Sequence, residues 1–185
     1  YFGQLRAWCR KHGLLLVGHC IGEENPLASG GGSNLSAMQR HFDIPGFDHI
    51  TGNIPNGEFQ SLNMGGKMIA SAAARLGRKQ VLSECFGCNA FNFGPEGMKK
   101  IANWLFALGV NWLVPHGFYY SGDGWRKFDA GKSFFFQDHD FGRFNEFARY
   151  AAELGRRLSQ SRSTNHVCLM IPNNAIRGLL PAEQN

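Results

Sequence analysis

The sequence has no apolar run approaching the roughly 20 residues that a membrane-spanning helix needs, so no membrane contact is expected. It also has no signal-peptide pattern, because Tyr1 opens directly into an amphipathic helical period. A chain that begins in the middle of such a pattern is typical of a fragment or a processed piece. The pattern therefore gives no localisation.

The five cysteines form no disulfide framework, because their number is odd and their spacing is irregular. We expect most of them to be buried free thiols, which behave as small hydrophobic side chains. Cys85 and Cys88 have the CxxC spacing of a redox or zinc pair. Without a second pair, this spacing is only a weak indication of either chemistry.

The sequence has no concentrated basic surface, although its formal net charge is +5. Its densest basic residues lie at the ends of helical periods, where cations favour the helix dipole and face solvent. No stripe of aromatic and basic residues accompanies them, so a nucleic-acid partner is not expected.

Short apolar runs alternate with helical periods along the chain. The predicted strands are residues 14–20, 47–51, 81–86, 110–118 and 166–171. Their lack of polar alternation favours a parallel sheet that is covered by helices.

A doubly wound sheet and a (β/α)8 barrel both fit this alternation. The sequence has no glycine-rich phosphate turn, and polar residues cluster after several strands, where barrel sites are assembled. We therefore predict an α/β fold of the TIM-barrel type. A full barrel has eight strands and about 250 residues, so we expect about half of one here. Its two open edges predict self-association or a complementing half barrel.

Glu84 is the leading candidate for a catalytic carboxylate, since it ends an otherwise apolar strand. An unpaired buried charge is costly, so Glu84 should be paired, hydrogen-bonded or functional. A structural salt bridge explains it equally well. Glycosidic cleavage needs two carboxyl groups, and the partner within this chain is Glu23, or less favourably Glu24. Solvated loop glutamates are the competing interpretation of these two residues.

Further polar and aromatic residues follow the predicted strands. Ring faces stack on the C–H faces of sugars, and Tyr and Trp add a polar tip. Any single ring is more often part of a core. The aromatic candidates are Phe86, Phe91, Tyr119, Tyr120 and Trp125. The polar candidates include His19, Asp48, His49, Asn53 and His116.

Two other classes stay open. One is a metal-dependent barrel hydrolase built from histidines, although no His-x-His or Glu-x-x-His pair supports it. The other is a half barrel that binds carbohydrate without catalysis. The histidines of the metal alternative are His19, His49, His116 and His139.

Several short motifs, in this order along nearly the whole chain, resemble the barrel of α-L-rhamnosidase-like glycoside hydrolases (glycoside hydrolase family 106 and its relatives). They are 18–24 (GHCIGEE), 43–50 (DIPGFDHI), 83–87 (SECFG), 109–111 (GVN) with 115–117 (PHG), and 126–129 (RKFD) with 133–137 (SFFFQ).

The resemblance implies that residues 1–164 form the last four strands of the barrel and that residues 165–185 open a following domain or a C-terminal tail. It implies hydrolysis of a glycosidic bond, with an α-L-rhamnoside as one candidate substrate. Glu84 then falls on the seventh strand as base or nucleophile, and Glu23 matches the acidic position after the fifth. The family's usual acid on the fourth strand has no counterpart here.

The resemblance also implies that carbohydrate is the partner and that no organic cofactor is needed. Some relatives bind calcium near the site, and a secreted or periplasmic location is typical of them. The predicted substrate-binding residues are His19, Asn53, His116, Tyr119, Tyr120 and Trp125.

Overall fold

The computed structural model describes residues 1–20, 35–54, 64–90, 92–127, 130–162 and 164–170. Helices and strands alternate along this part of the chain, as the sequence predicts. In order they are α1 (Phe2–Lys11), β1 (Val17–Gly18), α2 (Leu35–Gln39), β2 (Ile44–His49), α3 (Gly65–Arg75), β3 (Leu82–Cys85), α4 (Pro95–Leu108), β4 (Trp112–Pro115), a 3-10 turn (Gly124–Lys127) and α5 (Phe141–Gln160).

The four strands form one parallel sheet in the order β1-β2-β3-β4. The sheet is curled into a half barrel with helices against it. The predicted α/β class with a helix-covered parallel sheet is confirmed for the described residues. Closure into an eight-stranded barrel of the TIM type stays a prediction.

The core lies between the sheet and the helices α3, α4 and α5. Phe47 and Cys85 point from the sheet into this core, and both are fully buried. Since side chains alternate along a strand, the neighbours of these residues point to the opposite face. We call that opposite side the open face; it carries Gly46 and Asp48 of β2, Glu84 of β3 and Val114 of β4.

Helix α4 has the start and stop that its sequence predicts. Pro95 occupies the first helical position, where its missing N–H leaves no hydrogen bond unmade. Gly109 ends the helix with a φ of 110°, a left-handed conformation that a side chain disfavours. Among the described residues, no helix combines the length and apolar character that crossing a membrane requires.

Helix α1 buries none of its residues, and a polar contact joins it to the sheet. The carboxylate of Asp43, just before β2, accepts hydrogen bonds from Arg6 and Arg10 of α1 and from the backbone N–H of Leu16. Burial acts to raise the pKa of Asp43, but these hydrogen bonds outweigh it and hold the pKa below its ordinary value. Asp43 therefore ties α1 to the sheet.

Two predicted strands differ from the structure. The first spans only Val17–Gly18, and Leu14 and Leu15 are exposed, because β1 is an edge strand that pairs with β2 alone. Residues 164–170 form no strand and are exposed, since no neighbouring strand within the described residues pairs with them. Residue 171 and those after it lie outside the described residues, so the predicted domain boundary at 165 stays a prediction.

The expectation for the cysteines is half right. All five are free thiols, but only Cys85 is buried, while Cys9 and Cys20 are partly exposed. Cys88 and Cys168 are exposed because they lie in loop segments outside the core.

Replacing Asp43 by Asn should lower the free energy of unfolding by about 2 kcal/mol, because a neutral amide replaces the charged group that pairs with Arg6 and Arg10. Chemical denaturation at neutral pH measures this. Arg10→Gln is the matched comparison: Arg10 is 57% exposed, so its loss should cost less than about 1 kcal/mol. Equal effects of the two substitutions would contradict the anchoring role of Asp43.

Candidate active site

Polar side chains collect at the carboxyl ends of the four strands. In a parallel sheet these ends meet at the same edge. Asp48 and Glu84 point to the open face, and the strand register places them side by side. His19 lies one residue after β1, and His116 lies one residue after β4. Continuing the alternation of each strand by one residue places both side chains on the open face. The open face therefore carries one polar residue from each strand.

His19 and Glu84 form the central contact of this site. The Nε2 atom of His19 lies 2.7 Å from Oε2 of Glu84, and the two side chains are 21% and 27% exposed. The pair is thus shielded from bulk water but open to a small molecule. Glu84 is hydrogen-bonded, as its place on an apolar strand predicts.

The other ring nitrogen of His19 fixes where the protons lie. Nδ1 is 2.7 Å from the carbonyl oxygen of Cys20, and a carbonyl only accepts, so Nδ1 carries a proton. One further proton must lie between Nε2 and Glu84. The pair is therefore either an imidazolium with a carboxylate or a neutral imidazole with a carboxylic acid. In both forms, the proton between Nε2 of His19 and Oε2 of Glu84 lies on the open face, where it can be exchanged.

Gly46 is a tightly packed position next to the His19–Glu84 pair. It lies on β2, between the two partners, and it faces the same side. A methyl group at this position would lie 2.7 Å from Cδ2 of Leu82 and 2.8 Å from the carbonyl oxygen of Gly18. The missing side chain leaves room for Leu82 and for the carbonyl of Gly18, the residue before His19.

Asp48 is a polar candidate of the sequence to which the sequence analysis gave no role in the site. It is the register partner of Glu84 on β2, and neighbouring parallel strands lie about 4.8 Å apart. The two carboxylates therefore stand next to each other. Their shared position, one residue before the last of each strand, is the signal that could have found Asp48.

His116 and Tyr119 extend the site beyond β4. The Tyr119 hydroxyl lies 3.4 Å from Nδ1 of His116, and both residues are partly exposed. Tyr120 and Trp125 are 95% and 88% exposed. The structure thus joins His116 to Tyr119, whereas it leaves Tyr120 and Trp125 at the surface.

Other candidates lie apart from this group. The carbonyl of Asn53 accepts a hydrogen bond from His49, and His49 is buried against the ring of Trp104. Phe86 is a core residue that packs on Phe147, so its interpretation as a sugar platform is wrong. Glu23, Glu24 and Phe91 lie outside the described residues.

The two cysteines of the CxxC pair lie in different environments. Burial raises the pKa of Cys85 well above its ordinary value, and the charges of Glu84 and Asp48 act in the same direction. Cys85 is thus a protonated core thiol, while Cys88 is exposed. The same charge effect shows that both carboxylates lie near Cys85.

The four histidines of the metal alternative do not converge. Among the described residues, the group with ligand atoms close enough for a metal ion is Asp138, His139 and Asp140. Calcium takes six to eight oxygen ligands. Here one ligand is a nitrogen, and the carboxylates already contact Lys132 and Arg143. These residues do not fit the calcium site that the family resemblance implies.

Comparison with known proteins shows the fold. The solved structure of the rhamnosidase from Novosphingobium sp. PP1Y matches with a TM-score of 0.62 and 23% sequence identity. The match covers 87% of this chain and 16% of that chain, so this chain corresponds to a small part of that protein. No protein-family model matches the sequence, and no curated protein does. A rhamnosidase-like fold is therefore shown, and membership of glycoside hydrolase family 106 stays a prediction.

Replacing Gly46 by Ala should disturb the His19–Glu84 contact, because the new methyl group meets the carbonyl of Gly18, next to His19, and Leu82, on the same strand as Glu84. We expect a loss of stability of about 1 to 3 kcal/mol, as for other overpacked positions. The ring nitrogen chemical shifts of His19 should change at the same time. Gly122→Ala is the control, since nothing lies within 4 Å of a methyl group there. Unchanged His19 shifts in Gly46→Ala would contradict this account.

His49 should make the fold less stable in mild acid. Burial lowers its pKa from 6.5 to about 4, so the unfolded chain binds a proton more readily than the folded chain does. The stabilisation is complete above pH 6.5 and is lost as the pH falls towards 4, by roughly 3 kcal/mol in all. Denaturant unfolding at several pH values should show a flatter profile in His49→Gln. Parallel profiles of the two proteins would rule out His49 as the cause.

Proposed function

We propose that this chain is the half of a glycoside hydrolase barrel that carries the base or nucleophile, and that its substrate is an α-L-rhamnoside. The observation that carries the proposal is the contact between His19 and Glu84 on the open face, at the carboxyl ends of the strands. Barrel enzymes assemble their sites at this edge. The rhamnosidase-like fold supports the choice of reaction.

Glu84 is suited to act at the anomeric carbon of a sugar. Nε2 of His19 holds Oε2 of Glu84 at 2.7 Å, and we assign the chemistry to the other carboxylate oxygen, Oε1. That oxygen either takes a proton from water as the water oxygen bonds to the anomeric carbon, or bonds to that carbon itself. In both cases the bond to the leaving oxygen breaks, and an acid protonates that oxygen.

Asp48 strengthens this assignment electrostatically. Glycosidic cleavage passes through a transition state with positive charge on the sugar ring. Asp48 stands beside Glu84 in the strand register, so two negative groups would face this charge. Fixed charges aimed at a developing charge stabilise the transition state.

The leaving-group acid is the remaining part. We assign this role to Glu23, which matches the family's acidic position after the fifth strand. Glu23 lies outside the described residues. His116 and Tyr119 would bind sugar hydroxyls from the β4 side, and their mutual contact preorganises them.

The open face also predicts a polypeptide partner. Val17, Trp112 and Val114 are 43%, 41% and 38% exposed although they lie on strands. In a closed barrel such side chains are packed together. We propose that a complementing half barrel, or a second copy of this chain, covers them.

Glu84→Gln should reduce hydrolysis of an aryl α-L-rhamnoside by about 10³-fold, because an amide can act neither as a base nor as a nucleophile. Initial rates on a panel of aryl glycosides measure this effect. The matched control is Glu146→Gln, an exposed glutamate of α5, which should keep the parent rate.

A rate within a few fold of the parent in Glu84→Gln would remove Glu84 from the mechanism. No hydrolysis of any glycoside by the folded parent chain would refute a self-sufficient glycosidase. It would favour the carbohydrate-binding half barrel instead.

A further inference from the structure

Phe86 follows β3 directly, and its backbone is left-handed, with a φ of 70°. A bulky side chain disfavours this conformation, because its Cβ comes too close to the backbone. Among the described residues, the non-glycine residues with a positive φ are Phe86, Cys88 and Ala130. They meet at one place, since the N–H of Cys88 donates to the carbonyl oxygen of Ala130 at 2.7 Å. Backbone strain of this kind persists only where the surrounding structure holds it, and it is common at functional sites.

The left-handed turn decides on which side of the sheet the Phe86 ring lies. Glu84 points to the open face and Cys85 points into the core. If β3 continued by one extended residue, Phe86 would share the face of Glu84, because side chains two residues apart in a strand point the same way. The ring is instead in the core and 1% exposed. The turn thus removes a phenyl ring from the open face beside Glu84.

Rings from three separate segments hold Phe86 in the core. Its ring centroid lies 5.9 Å from that of Phe93, which precedes α4, and 6.3 Å from that of Phe134, in the loop after β4. The centroid of Phe147, on α5, is 5.6 Å away. Aromatic rings at such distances attract one another. Burial of the ring therefore offsets the unfavourable backbone of Phe86.

The turn also adjoins His116, on the β4 side of the site. The carbonyl oxygen of Cys85 accepts a hydrogen bond from the N–H of His116 at 2.8 Å. Gly87 lies close to the same residue, since a methyl group there would be 3.5 Å from Cγ of His116. The neighbours of Phe86 on both sides are thus placed against His116. A movement of the turn would displace His116 together with Glu84.

We propose that Phe86 is a positioning residue of the candidate active site. Its left-handed backbone directs the ring into the core, keeps the open face clear beside Glu84, and fixes the end of β3 that carries this carboxylate. Phe86 acts through Glu84 and His116 and has no contact with a substrate. Its effect on catalysis rests on the proposed function, whereas its effect on the geometry of the site does not.

The variants Phe86→Gly and Phe86→Ala separate the backbone role from packing. Both remove the ring, but glycine adopts the left-handed conformation readily and alanine does not. We expect Phe86→Gly to unfold at a higher denaturant concentration than Phe86→Ala. The matched control is Phe106, a buried phenylalanine inside α4. There the order should be reversed, because glycine is the poorer residue within a helix.

The ring nitrogen chemical shifts of His19 report the positioning itself, because Nε2 of His19 contacts Glu84. We expect these shifts to change in Phe86→Ala, where the turn relaxes, and to stay near the parent values in Phe86→Gly. Phe106→Ala should leave them unchanged although it also loses a buried ring.

Two results would overturn the proposal. One is a higher stability of Phe86→Ala than of Phe86→Gly, which would leave packing as the role of this residue. The other is an unchanged set of His19 shifts in a folded Phe86→Ala. If neither variant folds, proton NMR of the parent decides. Nuclear Overhauser contacts between the rings of Phe86 and Phe147 are expected, and contacts of the Phe86 ring with the Glu84 side chain would refute the turn.

Hydrolysis of an aryl α-L-rhamnoside is measured separately. In an active parent, Phe86→Ala should lower kcat by about tenfold or more, because a displaced carboxylate loses its alignment with the anomeric carbon. KM should change by less than about threefold, since Phe86 does not bind the substrate. The expected stability order and His19 shifts in a chain without hydrolysis would keep the positioning role and refute the glycosidase. Hydrolysis with the reverse order would do the opposite.

Discussion

The hydrogen bond between His19 and Glu84 joins the residue that follows β1 to a residue of β3, across β2. Gly46 of β2 lies against Leu82 and the carbonyl of Gly18, where a side chain has no room. The sheet then determines the rest of the arrangement. Because parallel strands end together and side chains alternate, fixing β2 and β3 in register places Asp48 and Glu84 side by side. The strand register thus places an imidazole and two carboxylates on the same face.

The two faces of the sheet give adjacent polar residues different environments. His49 and Cys85 follow Asp48 and Glu84 by one position, yet they point into the core, where burial lowers the pKa of His49 and raises that of Cys85. Both are therefore neutral and inert. The polar residues one position earlier stay partly exposed. Adjacent residues of one strand thus have different roles: one belongs to the core, and the other belongs to the candidate site.

Much of the fold was predictable, because helix signals are local. Pro95 and Gly109 bracket α4 as expected, and the apolar runs gave three of the four strands approximately. The apolar runs overestimated the length of β1, since apolar composition does not show that a strand has only one neighbour. They also predicted a strand at 166–171, whereas residues 164–170 have no pairing partner among the described residues.

The site was predictable only in part, for a related reason. Glu84 and His19 stood out because each is a polar residue at the end of an apolar run. Their contact was not predictable, because it depends on the register of three strands. The Lys132–Asp138 pair has no sequence signature, since its burial and pairing arise from tertiary packing.

The most direct test of the central claim is a crystal structure with a rhamnose-configured iminosugar. Its protonated ring nitrogen imitates the charge of the transition state, and such analogues bind more tightly than substrates. The account predicts that this nitrogen lies against the carboxylates of Glu84 and Asp48, with His19 still bonded to Oε2 of Glu84. An iminosugar bound elsewhere, with the open face empty, would contradict the assignment of this face as a glycosidase site.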